Sequence, residues 1–198
     1  MRHSLLRLSP IAAAIALSGC ISFGAKPPPS LLTLNATAQP QPGRTQSSAD
    51  ARSIVVQTPS VATALSTARV PVQATAGTIA YVKDAQWTEP PARLFARLLS
   101  DTLTAQANIV VLSPVQSISD PSGNLAGELR AFGLDATTQQ AVVIYDAALT
   151  RVNATAVEKR RFEARVPVSA IDAASAGPSL NQAANQVAAE VATWVGGR

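Results

Sequence analysis

The spacing of hydrophobic positions changes its period several times along this chain, and each change predicts a different element. The opening places Arg2 and Arg7 ahead of and within reach of an apolar run, Pro10-Ile11-Ala12-Ala13-Ala14-Ile15-Ala16-Leu17. That run is too short to cross a hydrocarbon layer of about 30 Å, and its charged-then-apolar order is that of a secretory signal. Beyond it, Leu31-Leu32-Thr33-Leu34 is a short apolar run suited to a first strand, and residues 35–52, rich in Gln, Pro, Ser and Thr, form a loop. Residues 53–57 are β-branched and stop at Pro59, which predicts a strand. Residues 69–73 and 78–82 flank Gly77 and predict a hairpin, with Pro71 placing its strand at a sheet edge. The period then lengthens. Leu94, Phe95, Leu98, Leu99 and Leu103 recur at spacings of three and four, behind Thr88-Glu89-Pro90-Pro91, which predicts an amphipathic helix over 90–106 capped by Thr88. A strand at 109–112 and three long strand candidates at 125–136, 141–152 and 157–168 follow. Short polar links join the long ones as an antiparallel meander. Gly177-Pro178-Ser179 then opens a second helix with Leu180, Ala184, Val187, Ala188, Val191, Trp194 and Val195 on one stripe. The expected fold is α+β: a mostly antiparallel sheet with two amphipathic helices packed on one face.

Four residues end the leading apolar run: Leu17-Ser18-Gly19-Cys20. This closely matches the bacterial lipobox, where a peptidase cuts before the cysteine and a diacylglyceryl group is joined to its sulfur. Residues 1–19 are therefore expected to be a lipoprotein signal peptide, 20–30 a lipidated tether, and 31–198 a single domain. Pro27-Pro28-Pro29 favours an extended tether of about 3.1 Å per residue. Cys20 is the only cysteine, so no disulfide is available. Cleavage leaves about 180 residues, enough for one domain with a real core.

Charge adds little to this picture. The pI near 9.8 invites a nucleic-acid partner, but removing Arg2 and Arg7 from the 16 basic residues leaves a small excess over the 12 acidic ones. Lys159-Arg160-Arg161 is the one dense basic run. In a strand its members alternate between two faces, which suits a solvated edge; a patch facing anionic lipid headgroups is the alternative. An exported protein meets little nucleic acid, and none is expected as partner.

Candidate chemistry is sparse. The one histidine, His3, lies in the signal, and Cys20 is used by lipidation. The usual zinc sites, Cys-His nucleophiles and Ser-His-Asp triads therefore lack their residues, and no phosphate-binding glycine loop is present. The acids are dispersed. No catalytic residue, metal or cofactor is expected, and the chain is expected not to be an enzyme. Two tryptophans remain to be placed. Trp87 is either a surface anchor for a partner or a core residue under the first helix, and Trp194 ends the second helical stripe as core.

The lipobox, the stretch Ala80-Tyr81-Val82-Lys83-Asp84-Ala85-Gln86-Trp87-Thr88-Glu89-Pro90, the Leu-rich helix behind it, Ile109-Val110-Val111, the meander and the Ala-rich last helix occur in a familiar order. Over residues 30–196 the chain resembles the ABC-type transport auxiliary lipoprotein family, the lipoprotein subunits of MCE-domain and paraquat-inducible-type lipid transport systems. Where that family has Tyr-x-Leu, this chain has Leu32-Thr33-Leu34. The resemblance implies a non-catalytic, periplasm-facing subunit that docks on an MCE-domain protein, with permease and ATPase as separate chains. It would help to move phospholipid or another hydrophobic molecule between the inner and outer membranes of a Gram-negative envelope. Ile21 stands where an aspartate often signals inner-membrane retention, so the resemblance implies the outer membrane. A structural or assembly lipoprotein without a transporter and a lipid-binding carrier are the alternatives; a homo-oligomer is compatible with each.

Overall fold

The computed structural model describes residues 30–49, 51–113 and 121–197. The lipobox and Cys20 lie outside them. The described residues form an eight-stranded sheet and two α-helices, with a short 3-10 turn. Three long strands form the spine of the sheet: β6 (Gly123–Asp135), β7 (Gln140–Arg151) and β8 (Val157–Pro167), paired antiparallel as a meander. Their register stacks Leu129, Tyr145 and Phe162 in one cross-strand row and Phe132, Val143 and Ala164 in another, all buried on the same face. A register shift at Arg130 inserts one residue into β6. It changes the inward positions from Leu125 and Leu129 to Phe132 and Leu134, so both halves of β6 reach one core.

The other edge of β6 is shared by three shorter strands. β1 (Ser53–Val56), β2 (Ser60–Val61) and β3 (Arg69–Thr75) dock along it in succession, each parallel to it. β5 (Val110–Leu112) extends β1 in parallel, and β4 (Thr78–Gln86) pairs antiparallel with β3. The sheet is thus mixed and not purely antiparallel. The first helix, α1 (Pro91–Gln106), lies on the long path from β1 to β5, the crossover that a parallel pair requires. Pro71 is not on an edge strand, since β3 has β4 on one side and β6 on the other. It sits at a register shift between Arg69 and Pro71, where a missing N–H is tolerated inside a sheet.

Both helices cover the face formed by Tyr145 and its row. The apolar stripe of α1 is buried at Leu94, Phe95, Leu98, Leu99 and Leu103. Thr88 does not cap this helix: the N-cap is Pro90, with no side-chain hydrogen bond, and the neighbouring Glu89 instead pairs with Arg97 at 2.6 Å. The second helix, α2 (Ala173–Gly196), starts a turn before Gly177 because the Asp172 carboxylate accepts a 2.8 Å bond from the Ser175 N–H. Pro178 is carried inside it. Small residues on its buried stripe, among them Ala183, Ala184 and Ala188, allow it to lie close against α1 and the sheet. The expected first strand at 31–34 shrinks to one parallel bridge, in which Leu32 N–H donates to Gln86 O and Thr88 N–H to Leu32 O. Among the described residues, the first buried one is Ala36.

Candidate functional site

Trp87 belongs to the interior. It is 1% exposed and meets Phe132 edge-on at 5.5 Å, so it offers no surface anchor to a partner. From Phe132 the aromatic contacts run on to Phe95 and from Phe95 to Tyr145, at centroid distances of 6.3 and 5.3 Å. A backbone bond from Trp87 N–H to Ala68 O, 2.7 Å, fixes the tryptophan where β4 ends and α1 begins, while its indole N–H is buried without a hydrogen-bond partner. Removing such a ring from water is favourable enough to outweigh one unpaired N–H. Trp194 is half-buried and tilts against Phe162 at 5.5 Å.

The face of the sheet opposite the helices is the accessible one. Strand alternation brings Pro71, Val142 and Ile144 to it, with Tyr81 and Ile79 arriving from β4 through their pairing with Pro71 and Gln73. Together with Ala62 and Ala64, in and beside a 3-10 turn at Thr63–Leu65, several of these line a groove of about 290 Å³. Arg130, Asp135 and Arg165 stand at its rim. Gly133 makes the close approach of β3 to β6 possible here, since a Cβ at that position would collide with the Pro71 carbonyl.

Charges on this face of the sheet are paired, some across strands and some along one strand. Arg161 donates two bonds to the Asp146 carboxylate, at 2.6 and 2.7 Å, in the bidentate manner that suits a guanidinium. Arg130 lies 3.7 Å from Asp146 and 3.4 Å from Glu128, and Arg165 pairs with Glu163 at 2.6 Å. The Arg161 hydrogen bond holds the Asp146 carboxyl below the usual carboxylate range, and Thr137 does the same for Asp135. Arg69 stacks over the Tyr81 ring at 3.7 Å. The result is an apolar groove inside a charge-balanced rim, a surface built to bind and not to concentrate one sign of charge.

The start of the domain is held against α2. Asn35 N–H donates to Asn181 Oδ1 at 2.8 Å, Thr37 N–H donates to Asn185 Oδ1 at 2.7 Å, and Asn185 Nδ2 donates back to Asn35 O at 2.9 Å. Asn181 and Asn185 are one helical turn apart, so their amides present donors and acceptors to an extended chain as a neighbouring strand would. Leu32 is thereby held beside Gly177, where a Cβ would lie 2.9 Å from a Leu32 methyl carbon. Sequence reasoning missed this clamp; two asparagines at helical spacing, poor helix formers both, were its available signal. Among the described residues, no group of three or more His, Cys, Asp or Glu is placed to hold a metal, and no helix is long and apolar enough to cross a membrane.

A helix-backed mixed sheet with an open opposite face places the chain among known folds. It superposes on a crystal structure of a Xanthomonas campestris protein with a TM-score of 0.70, at 22% identity over 84% of this chain and 94% of that one. A second solved structure, of an uncharacterized protein, gives 0.64 at 18% identity over 73% and 92%. At these identities the likeness shows the fold. A search of curated proteins gives no match. The sequence profile of the ABC-type transport auxiliary lipoprotein component family matches residues 32–192, and the chain belongs to that family. It is thus a lipoprotein of the cell envelope associated with an ABC transport system.

Proposed function

We propose that this chain is the non-catalytic docking subunit of an MCE-type system that moves phospholipid or a similar hydrophobic molecule between the inner and outer membranes. Lipid attached at Cys20 ties it to the outer membrane, facing the periplasm, and its folded domain binds the MCE-domain protein. The family match over nearly all of the folded domain carries this reading. The face opposite the helices supports it, because an apolar groove on a face whose charges are paired suits a protein partner better than a reacting substrate. Ile79 is 53% exposed at the groove and offers a direct test. The domain from Ser30 should capture a purified MCE-domain protein, and Ile79→Arg should weaken capture at least tenfold while leaving the melting temperature unchanged. Equal capture by both chains would remove the groove as docking face.

A further inference from the structure

The turn between β7 and β8 carries a second surface, far from the groove. Every residue from 152 to 161 is exposed. Val152 and Val157 stand on either side of the turn, 55% and 52% exposed, with Ala154 and Ala156 between them. Solvated turns are ordinarily made from polar residues, and Asn153, in the left-handed region at φ 65°, already satisfies the backbone here. The valines are not required by the turn.

Cations collar this apolar tip. Lys159 and Arg160 follow Val157 on β8 and point to opposite faces of it, one toward the row of Ala148 and the other over the Phe162 ring at 5.0 Å. Among the described residues, Glu158 is engaged by Arg151 at 3.0 Å, and Asp146, which also feels the charge of Lys159, is paired bidentate with Arg161. Arg151 and Arg52 also donate to the last carbonyls of α2, Arg52 to Gly196 O at 2.7 Å, so the negative end of that helix is covered. Among the described residues, Arg52, Arg151, Lys159 and Arg160 against Glu158 leave this end net positive around an exposed apolar turn. A groove-shaped partner is matched by a ridge of specific side chains; a convex tip of small apolar residues inside a cationic collar matches an apolar layer beneath anionic headgroups.

We propose that the β7–β8 turn is a membrane-binding tip: Val152 and Val157 enter the headgroup–acyl boundary of an anionic bilayer while Lys159 and Arg160 lie against lipid phosphates. This contact is separate from any lipid anchor. Leu32, near the start of the described chain, lies beside Gly177, whereas the tip is tied through Arg151 to Val195 and Gly197, about 27 Å further along α2 at 1.5 Å per residue. Ten residues at full extension reach at most roughly 33 Å, which is enough for a lipid at Cys20 and the tip to meet one bilayer.

The test uses the chain from Ser30, which keeps every described buried residue and lacks Cys20, with Ala154→Cys labelled by an environment-sensitive fluorophore. Vesicles of phosphatidylglycerol mixed with phosphatidylcholine should shift its emission to the blue and saturate. Vesicles of phosphatidylcholine alone should leave it unchanged, and high salt should reverse the shift. Lys159→Glu with Arg160→Glu should weaken binding at least 30-fold, since removing the two cations alone costs about fivefold each and the two added anions are repelled as well. Val152→Ser with Val157→Ser should abolish the blue shift. All of these positions are solvated, so the variants should melt with the parent. An unshifted label on anionic vesicles, equal binding of the charge-reversed chain, or a shift that appears only when a partner protein is added would each overturn the assignment.

Discussion

Truncating Phe95 to alanine removes the contact through which the first helix grips the sheet. The ring is fully buried and lies edge-on to Tyr145 and to Phe132, which is itself edge-on to Trp87. Deleting a buried phenylalanine side chain costs about 3–5 kcal/mol, because the lost transfer energy is joined by the cavity left behind. Each aromatic pair accounts for about 0.5–1.5 kcal/mol of that. Phe95→Leu keeps much of the apolar volume and loses the ring contacts, so its cost should be about 1–2 kcal/mol. A domain of this kind holds roughly 5–15 kcal/mol in total, which keeps both variants folded in water. Urea unfolding followed by circular dichroism at 222 nm reads the difference, and the alanine variant should melt roughly 6–20 °C lower. Arg93→Ala serves as control. Its side chain is 70% exposed and 3.7 Å from Glu89, so its removal should change stability by less than about 0.5 kcal/mol. A cycle of Phe95→Leu and Tyr145→Leu should show coupling of about 0.5–1.5 kcal/mol. Phe95→Ala costing under about 1 kcal/mol, or no coupling in the cycle, would refute the packing described here.

Three further outcomes follow from particular contacts. A methyl group at Gly127 would collide with the Asp146 carbonyl and the Tyr145 ring, so Gly127→Ala should cost about 1–3 kcal/mol in the same urea assay; a neutral result would mean that Tyr145 lies elsewhere. The Asp146 carboxyl is held below its ordinary value, so its stabilisation is complete above that value and is lost as pH falls through the lowered one. Asp146→Asn should therefore flatten the loss of stability below about pH 4, and an unchanged acid limb would contradict the Arg161 pairing. Cys20→Ser should leave unprocessed precursor and abolish labelling by radioactive fatty acid, whereas normal maturation would exclude lipidation at that position.

What was legible in the sequence was local. The i, i+3, i+4 spacing of Leu94, Phe95, Leu98 and Leu99 and the long alternating runs on either side of 137–140 gave both the first helix and the meander, because period alone decides which face an element buries. The order of β1, β2 and β3 along β6 was not legible, since parallel pairing is set by tertiary contacts and leaves no turn signature. Pro71 misled for the same reason: its interior place depends on a register shift with β4. Gly177-Pro178 looked like a helix start, yet the Asp172 cap begins α2 earlier, and burial of Ala176, Leu180 and the stripe beyond them carries the helix across Pro178. The groove was hidden because it is assembled from four strands, with Ile79, Pro71, Gly133 and Val142 far apart in sequence. The paired charges of Arg161 and Asp146 likewise appear only once the β7–β8 register is fixed.

The central claim is that this lipoprotein works as the docking subunit of an MCE-type lipid transporter. Affinity purification of the tagged full-length chain from detergent-solubilised envelopes of its own cells, with mass spectrometry of the bound proteins, tests it most directly. An MCE-domain protein should be recovered in near-stoichiometric amount, with its permease and ATPase in lower yield, and Ile79→Arg should deplete all three together. Recovery of the chain with no MCE-domain protein, under conditions that preserve other envelope complexes, would contradict it.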